Sequence, residues 1–235
     1  MAQSLPLVLV PGLLCSARLY GPQIAALWPF GQVAVADHRR DADMAAIAAA
    51  ILADAPPRFG LAGLSMGGYI AFAMLRLALE RIARLALLDT AAGPDLPEQK
   101  AGREKLIAMA AAGKLADVVE MLTPRFLHRS RHNDEALKRV VRDMAAETGA
   151  DAFVCQQKAI MSRLDSRPLL ASIRCPTLML VGEGDELTPP ELAKEIAGGI
   201  SGARLVVVPD CGHLSTLEKP EAVNAALTEW LAASA

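Results

Sequence analysis

One serine of the chain lies between two glycines, in the segment Gly63-Leu64-Ser65-Met66-Gly67. An apolar run precedes this segment and a helical pattern follows it, so Ser65 is predicted to lie at a tight turn from a strand into a helix. The glycines avoid the clashes that such a turn would produce, and the turn lifts the hydroxyl out of the sheet. The backbone N–H groups that follow lie at a helix N-terminus, where they can stabilise an oxyanion. Ser65 is therefore a candidate nucleophile.

A serine hydroxyl needs a base within hydrogen-bond reach, and the chain has four histidines. His128 and His132 lie in an arginine-rich stretch and are predicted to be solvated. His38 follows a strand beside charged neighbours, which favours a structural or surface role. His213 differs because it follows the last apolar strand, in the loop Pro209-Asp210-Cys211-Gly212-His213. Ligands of an open α/β sheet bind at the carboxyl ends of its strands, so His213 is the candidate base.

The base needs a carboxylate that fixes its tautomer and stabilises the imidazolium. Asp185 lies in a loop at the end of a predicted strand, where Glu183 and Glu186 compete with it. The residue types alone do not separate these three, and the loop could instead be an acidic turn before the helix at Pro190. Three other acidic residues also follow predicted strands: Asp37, Asp89 and Asp210.

The scaffold that would position these residues is read from short apolar runs that alternate with helical patterns. This alternation predicts an α/β fold with a mostly parallel sheet of about six strands and helices on both faces. Strands are predicted at residues 7–10, 33–36, 60–64, 84–88, 177–181 and 204–208. Helices are predicted around residues 23–27, 43–53, 66–79, 190–197 and 221–232.

A long stretch between the fourth and fifth predicted strands carries helical patterns only. One helix is predicted around residues 115–122 and another around 137–144, with Asn133 as its N-cap and Gly149 at its end. This block is too regularly patterned for a loose loop. We therefore predict a helical cap over residues 95–170, inserted into a core formed by residues 1–94 and 171–235.

The order of the candidate nucleophile, acid and base along the chain resembles that of the α/β-hydrolase superfamily. Three segments carry the resemblance further. Leu7-Val8-Leu9-Val10-Pro11-Gly12-Leu13 resembles the family's strand and oxyanion loop, and Gly182-Glu183-Gly184-Asp185 with Thr188-Pro189 resembles its acid loop. Gly212-His213, followed by Glu218, Pro220 and Val223, resembles its histidine loop and closing helix. The resemblance covers nearly the whole chain.

Membership implies the α/β-hydrolase fold and a role for each candidate residue. Ser65 would be the nucleophile, His213 the base, and Asp185 rather than either neighbouring glutamate the acid. The resemblance also implies that the backbone N–H groups of Leu13 and Met66 are the oxyanion donors.

The chain departs from the family pattern in three ways. Pro11 stands where the family usually has a histidine before the glycine of the oxyanion loop. The family's first two strands have no counterpart before the first predicted strand. The segment after Asp37 is short and lacks the usual glycine-rich loop, which predicts a lean sheet with an exposed pocket on that side.

Composition limits the classes of partner. Lysine and arginine number 24 against 26 acidic residues, so no excess of positive charge indicates a nucleic acid or an anionic membrane. The apolar segment 1–14 has no positive charge and contains two prolines, which favours a buried strand over a signal peptide. Four cysteines show no metal-ligand spacing and no disulfide-rich pattern, so we expect reduced thiols in a cytoplasmic protein. The cysteines are Cys15, Cys155, Cys175 and Cys211.

The leading functional hypothesis is hydrolysis of a carboxylic ester or lactone of a small molecule, as in small serine esterases and lactonases. Lyases and C–C bond hydrolases of the same family keep the serine and histidine, and the cyanohydrin-cleaving members tend to carry a pocket lysine. A third alternative is a small-molecule receptor that reuses the pocket. No metal or organic cofactor is predicted, and the sequence leaves the substrate and the choice between monomer and homodimer open.

Overall fold

The computed structural model describes residues 5–233, so residues 1–4 and 234–235 of the predicted core lie outside the described part. Six strands form one sheet in the order β2-β1-β3-β4-β5-β6, and all neighbouring pairs are parallel. The strands are β1 Leu7–Val10, β2 Val33–Val35, β3 Phe59–Leu64, β4 Ile82–Leu88, β5 Thr177–Gly182 and β6 Arg204–Val208. The predicted α/β class and the number of strands are confirmed.

Helices cover both faces of this sheet. Outside the block between β4 and β5 they are α1 Gly21–Leu27, α2 Met44–Asp54, α3 Met66–Ala78, α8 Pro190–Gly199, α9 Ser215–Glu218 and α10 Pro220–Ala232. Within the block they are α4 Pro97–Ala111, α5 Leu115–Phe126, α6 Glu135–Thr148 and α7 Ala150–Ser162. These four helices lie inside residues 95–170, for which we keep the name cap.

Successive residues of a strand point to opposite faces, and β1 shows this directly. Leu7 and Leu9 pack into one hydrophobic core, together with α1, α10 and much of the cap. Val8 and Val10 pack into a second core, together with α2, α3 and α8. A strand buried on both faces must be apolar throughout, which explains why β1 and its neighbours lack the polar alternation of a half-exposed sheet.

The ends of α6 show how local chemistry sets the limits of a helix. Asp134 is the N-cap, and its carboxylate accepts a hydrogen bond from the backbone N–H of Leu137 at 3.0 Å. The expectation of Asn133 as the cap was therefore wrong by one residue. Gly149 ends the helix as predicted, with a φ of 80° that suits glycine.

No helix within residues 5–233 is long and apolar enough to cross a membrane.

Candidate active site

The turn after β3 has the geometry that its glycines predict. Ser65 has a φ of 56°, a value that a residue with a side chain rarely adopts, and α3 begins at the next residue. A Cβ at Gly67 would overlap the carbonyl oxygen of Val10, and a Cβ at Gly63 would overlap the carbonyl oxygen of Gly67. Glycine at these positions thus lets the turn, β1 and α3 approach closely, and the serine side chain is left at the carboxyl edge of the sheet.

The neighbouring strand β4 holds the backbone of this turn. The N–H of Ser65 donates to the carbonyl oxygen of Leu88 at 2.9 Å. The hydroxyl of Thr90 donates to the carbonyl oxygen of Ser65 at 2.8 Å. These bonds hold the peptide groups before and after Ser65, which compensates for the backbone strain at this residue.

The structure brings together the three side chains that were predicted to form the site. The hydroxyl of Ser65 lies 2.8 Å from Nε2 of His213, and Nδ1 of His213 lies 2.8 Å from Oδ2 of Asp185. Since a carboxylate can only accept, Nδ1–H of the imidazole donates to Asp185 and Nε2 accepts from the serine hydroxyl. This is the tautomer that a general base next to a serine requires.

In the loop after β5, the side chain of Asp185 points at His213, whereas the side chains of Glu183 and Glu186 are exposed to solvent. Asp185 accepts from the backbone N–H of Leu187 at 2.8 Å, and from the backbone N–H and hydroxyl of Thr188 at 3.0 and 2.7 Å. Asp185 is buried, whereas Glu183 and Glu186 are exposed to solvent. The ambiguity among the three acidic residues is thus resolved by side-chain direction.

The backbone around His213 is braced by the cap. The N–H groups of His213 and Leu214 both donate to the carbonyl oxygen of Phe126 at 3.1 Å, and the ring of Phe126 stacks against the imidazole with ring centroids 6.3 Å apart. The buried carboxylate of Glu218 accepts from the N–H of Gly212 at 3.0 Å. The cap therefore contributes directly to the position of the imidazole.

The electrostatics of the pair favour an ionised Asp185. Burial alone would lower the pKa of His213, but the charge of Asp185 and the hydrogen bond to it outweigh burial and raise the pKa above its ordinary value. Burial alone would raise the pKa of Asp185, but the charge of His213 and hydrogen bonds from His213 and Thr188 lower it. A base with a raised pKa accepts the serine proton more readily, and the anionic partner stabilises the imidazolium that results.

The other acidic residues at strand ends lie outside this arrangement. Asp89 is buried, and it accepts from the N–H of Gly182 at 2.9 Å and contacts the hydroxyl of Ser215. Burial, reinforced by the negative charge of Asp185, raises the pKa of Asp89 to about 8, so this carboxyl group is largely protonated at neutral pH. Asp37 pairs with Arg39 at 2.8 Å, and Asp210 is exposed to solvent.

The loop that was predicted to supply an oxyanion donor lies against the serine. A Cβ built on Gly12 would be 3.5 Å from Cβ of Ser65, which is ordinary van der Waals contact. Within residues 5–233, the backbone N–H groups of Leu13 and Met66 donate to no protein acceptor. Both therefore remain available as donors to a substrate atom. Pro11 does not remove the predicted donor, since Leu13 is two residues later.

Of the remaining histidines, the two in the cap are less exposed than expected. His38 is buried, and both of its ring nitrogens are hydrogen-bonded. His128 and His132 are half-buried, and the ring of His128 packs against Gly184 of the acid loop. The expectation of solvated cap histidines was therefore wrong, because the loop that carries them packs onto the loops of Asp185 and His213.

Sequence reasoning also missed Gln156. This cap residue is fully buried, and it contacts both His38 and the oxyanion loop. The available signal was its position on α7. Gln156 and Gln157 stand between Phe153 and Ile160 at helical spacing, where the buried face of a helix would otherwise be apolar.

Two surface grooves lie away from the serine. One, of about 310 Å³, runs along the outer side of α3 and includes Tyr69, Leu77 and Leu164. The other, of about 360 Å³, lies beside Asp37 and along the middle and end of α2, on the side where an exposed pocket was predicted. Neither of these two grooves is lined by Ser65, Asp185 or His213.

The described part of the chain contains no candidate metal centre. No group of three or more histidine, cysteine, aspartate or glutamate side chains in residues 5–233 is arranged to hold a metal ion. The four cysteines are free thiols, and burial raises the pKa of Cys15 to about 12.

Solved structures share this fold. An esterase from Thermogutta terrifontis, solved with malate bound, superposes with a TM-score of 0.88 at 33% identity, covering 97% of this chain and 89% of that one. An enol-lactonase from Burkholderia xenovorans LB400 has a TM-score of 0.88 at 25% identity, covering 99% of this chain and 93% of that one.

A similar relative is known from sequence. A pimeloyl-[acyl-carrier protein] methyl ester esterase of Neisseria meningitidis is 26% identical over 221 residues, which are 89% of this chain and 85% of the relative. The sequence profile of the alpha/beta hydrolase family matches residues 7–226, which include every strand and all three residues of the candidate site. The chain therefore belongs to the alpha/beta hydrolase family.

Proposed function

We propose that this protein is a serine-dependent hydrolase that cleaves a carboxylic ester or lactone of a small molecule. The observation that carries the proposal is the continuous line of hydrogen bonds from the Ser65 hydroxyl through His213 to Asp185, with 2.8 Å at each step. A serine hydroxyl is a weak nucleophile at its own pKa, and a base that is itself oriented by a carboxylate is the usual means of activating it.

In the first half of the proposed reaction, Oγ of Ser65 attacks the acyl carbon while Nε2 of His213 takes its proton. The carbonyl oxygen becomes an oxyanion, which the N–H groups of Leu13 and Met66 stabilise. Removal of one such donor costs roughly 10²–10³ in kcat in a comparable serine hydrolase. The imidazolium then gives its proton to the leaving alkoxide as the tetrahedral intermediate collapses to the acyl-enzyme.

In the second half, water replaces the alcohol at the same position. His213 takes a proton from the water, the resulting hydroxide attacks the acyl carbon, and the same two N–H groups stabilise the second oxyanion. Collapse of this intermediate releases the carboxylic acid and returns the proton to Ser65. A lactone follows the same steps, with the alcohol and the acid released as one hydroxy acid.

The choice of an oxygen ester rests on the relatives, because the names of those described above include an esterase, a methyl ester esterase and an enol-lactonase. A small substrate fits a site that is covered by the cap helices, since Ser65 is itself only partly exposed. We propose a cytoplasmic location because all four cysteines are free thiols, as is usual in a reducing compartment.

The cyanohydrin-lyase alternative has less support than ester hydrolysis. Of the lysines considered for a pocket role, Lys100, Lys105, Lys114 and Lys158 are exposed to solvent. Lys138 pairs with Glu135 at 2.6 Å on the surface of α6. The receptor alternative has little support because a binding pocket alone does not require an oriented serine–histidine pair.

The proposal predicts that Ser65→Ala abolishes hydrolysis of a p-nitrophenyl ester without unfolding the protein, since the nucleophile is lost and the small side chain fits the same turn. Turnover should be compared with that of the unaltered enzyme, with circular dichroism and the melting temperature as controls for folding. Substantial turnover by the variant would refute the assignment of Ser65. Cyanohydrin cleavage or carbon–carbon bond cleavage without an acyl-enzyme burst would favour the alternatives.

A further inference from the structure

The oxyanion loop is held at both ends by one closed set of buried hydrogen bonds. Nε2 of His38 donates to the carbonyl oxygen of Pro11 at 3.0 Å. Nδ1 of His38 lies 3.0 Å from Nε2 of Gln156, and Oε1 of Gln156 accepts from the backbone N–H of Leu14 at 3.1 Å. Leu13, the proposed oxyanion donor, lies between the two anchored residues.

The hydrogen-bond roles in this set are fixed by chemistry. The carbonyl of Pro11 only accepts, so the imidazole of His38 must carry its proton on Nε2, and Nδ1 is then free to accept from the amide of Gln156. That amide orientation leaves Oε1 to accept from Leu14. Burial lowers the pKa of His38, which keeps the ring neutral and preserves this tautomer at neutral pH.

His38 and Gln156 lie on parts of the chain other than the turn that carries Ser65. His38 follows β2, and Gln156 lies on α7 of the cap. Their exposed fractions are 3% and 0%. A buried polar group that loses its partner pays the full cost of desolvation, so each bond of the set restrains the loop strongly.

The loop also has a backbone conformation that requires restraint. Leu14 has a φ of 59°, an unfavourable value for a leucine, and its N–H is the group that Gln156 accepts from. Without that acceptor the backbone at Leu14 can relax toward negative φ. Such a rotation would turn the peptide between Leu13 and Leu14, and compensating rotations about Leu13 would then redirect its N–H.

We propose that His38 and Gln156 are positioning residues that fix the oxyanion loop, so that the N–H of Leu13 points at the oxyanion above Ser65. The cap thereby completes the oxyanion hole through α7, in addition to covering the site. The inference rests on the proposed function, since it assigns Leu13 as a donor in ester hydrolysis. The side chains of His38 and Gln156 act only through the loop.

The test replaces Gln156 with leucine, which removes both hydrogen bonds at similar volume. Misplacement of one oxyanion donor should lower kcat/KM about 10- to 100-fold, mainly through kcat, because the donor acts on the transition state and hardly on the bound ester. A trifluoromethyl ketone inhibitor forms a tetrahedral adduct with the serine, and its affinity should fall by a similar factor while KM stays nearly constant.

The matched control is Gln157→Leu, which makes the same change at the next position of α7. Gln157 is equally buried, but its Oε1 accepts from Arg103 at 2.8 Å. This variant should keep kcat/KM and inhibitor affinity near the values of the unaltered enzyme. Equal loss in both glutamine variants would overturn the inference, because it would reflect general damage to α7.

A second pair of variants serves if Gln156→Leu fails to fold. His38→Phe keeps the ring volume without polar atoms, while His38→Gln can still donate toward Pro11. The phenylalanine variant should lose inhibitor affinity and kcat together, and the glutamine variant should recover at least part of both. Unchanged kinetics in His38→Phe would overturn the inference while leaving the role of Ser65 intact. Retained turnover by Ser65→Ala would instead overturn the proposed function itself.

Discussion

At the residue scale, the candidate site depends on the direction in which a few polar atoms point. Nδ1–H of the His213 imidazole donates a hydrogen bond to Asp185, so Nε2 is left to accept from the hydroxyl of Ser65. Thr188 in turn orients the carboxylate through its hydroxyl. A change in one of these groups should therefore alter the protonation behaviour of the histidine as well as the rate.

Asp185→Asn is expected to lower kcat by roughly 10³–10⁴. An asparagine amide can donate to Nδ1, which moves the imidazole proton to the nitrogen that faces Ser65 and prevents it from acting as a base. The variant also loses the negative charge that raises the pKa of His213. Activity requires the neutral imidazole and is lost as pH falls through this pKa, so the acid limb of the residual kcat/KM profile should shift to lower pH.

The matched control is Asp210→Asn, on the loop of His213. Asp210 is exposed and has a φ of 49°, which asparagine tolerates. This change should leave the rate and the pH profile almost unaltered. A pH profile of Asp185→Asn that coincides with that of the unaltered enzyme would contradict the assigned role of the carboxylate.

The residue types alone predicted the serine and the histidine, but not the choice of acid or the network around His38. The glycines two positions before and after Ser65 are needed for a tight turn from a strand into a helix, and this need can be read from the sequence. Asp185, Glu183 and Glu186 differ only in side-chain direction, which depends on the folded loop. His38 and Gln156 meet through tertiary packing, because they are 118 positions apart in the chain.

At the element scale, the turn between β3 and α3 depends on backbone atoms that approach too closely for a side chain. Gly67 lies against the carbonyl oxygens of Val10 and Pro11, at the start of the oxyanion loop. The same contact that allows α3 to begin therefore also sets the distance between that loop and Ser65.

Gly67→Ala is expected to lower the free energy of unfolding by about 1–3 kcal/mol, since the added methyl group must displace backbone atoms that cannot move independently. Urea denaturation followed by circular dichroism measures this change. Gly102→Ala is the control, because Gly102 lies within α4 with open space around its Cβ position. That change should raise the free energy of unfolding by up to about 1 kcal/mol. A Gly67→Ala protein as stable as the unaltered one would contradict the packing described for the turn.

The apolar runs predicted where each strand lies more accurately than where it begins and ends. The limits of β1 and β6 coincide with the predicted ones, while β4 begins at Ile82, two residues earlier than expected. Ile82 lies opposite Phe59 of β3 and the register shifts at the next residue, so pairing rather than an apolar run defines where this strand begins. Likewise, Asn133 and Asp134 are both good caps by type, and the direction of the chain selects the second.

At the scale of the whole molecule, the parallel sheet places every proposed catalytic group at one edge. Ser65 follows β3, Asp185 follows β5 and His213 follows β6, so their loops meet where parallel strands end. The alternation of apolar runs and helical patterns predicted this layout. The arrangement of the cap helices in space could not be predicted, since several short helices can pack in many ways.

The two ends of the cap are joined by a buried cluster of charged side chains, and one of its arginines also contacts the rest of the molecule. Asp95, just before α4, contacts Arg103 at 2.6 Å and Arg163 at 2.8 Å. Its carboxylate is only 1% exposed, which makes the two arginines more than surface partners. The guanidinium of Arg163 also lies 4.3 Å from the ring centre of Tyr69 on α3. The first and last parts of the cap are thus fixed to each other and to the helix that follows the nucleophile.

The most direct measurement of the central claim is the site at which a fluorophosphonate attaches to the folded enzyme. Peptide mass spectrometry after labelling should find a single phosphonate on Ser65, because its hydroxyl lies beside an imidazole that a buried carboxylate orients. Labelling should disappear in Ser65→Ala and slow strongly in Asp185→Asn. A stable adduct on another residue, or rapid labelling of the Ser65→Ala protein, would contradict the assignment of Ser65, His213 and Asp185 as the catalytic groups.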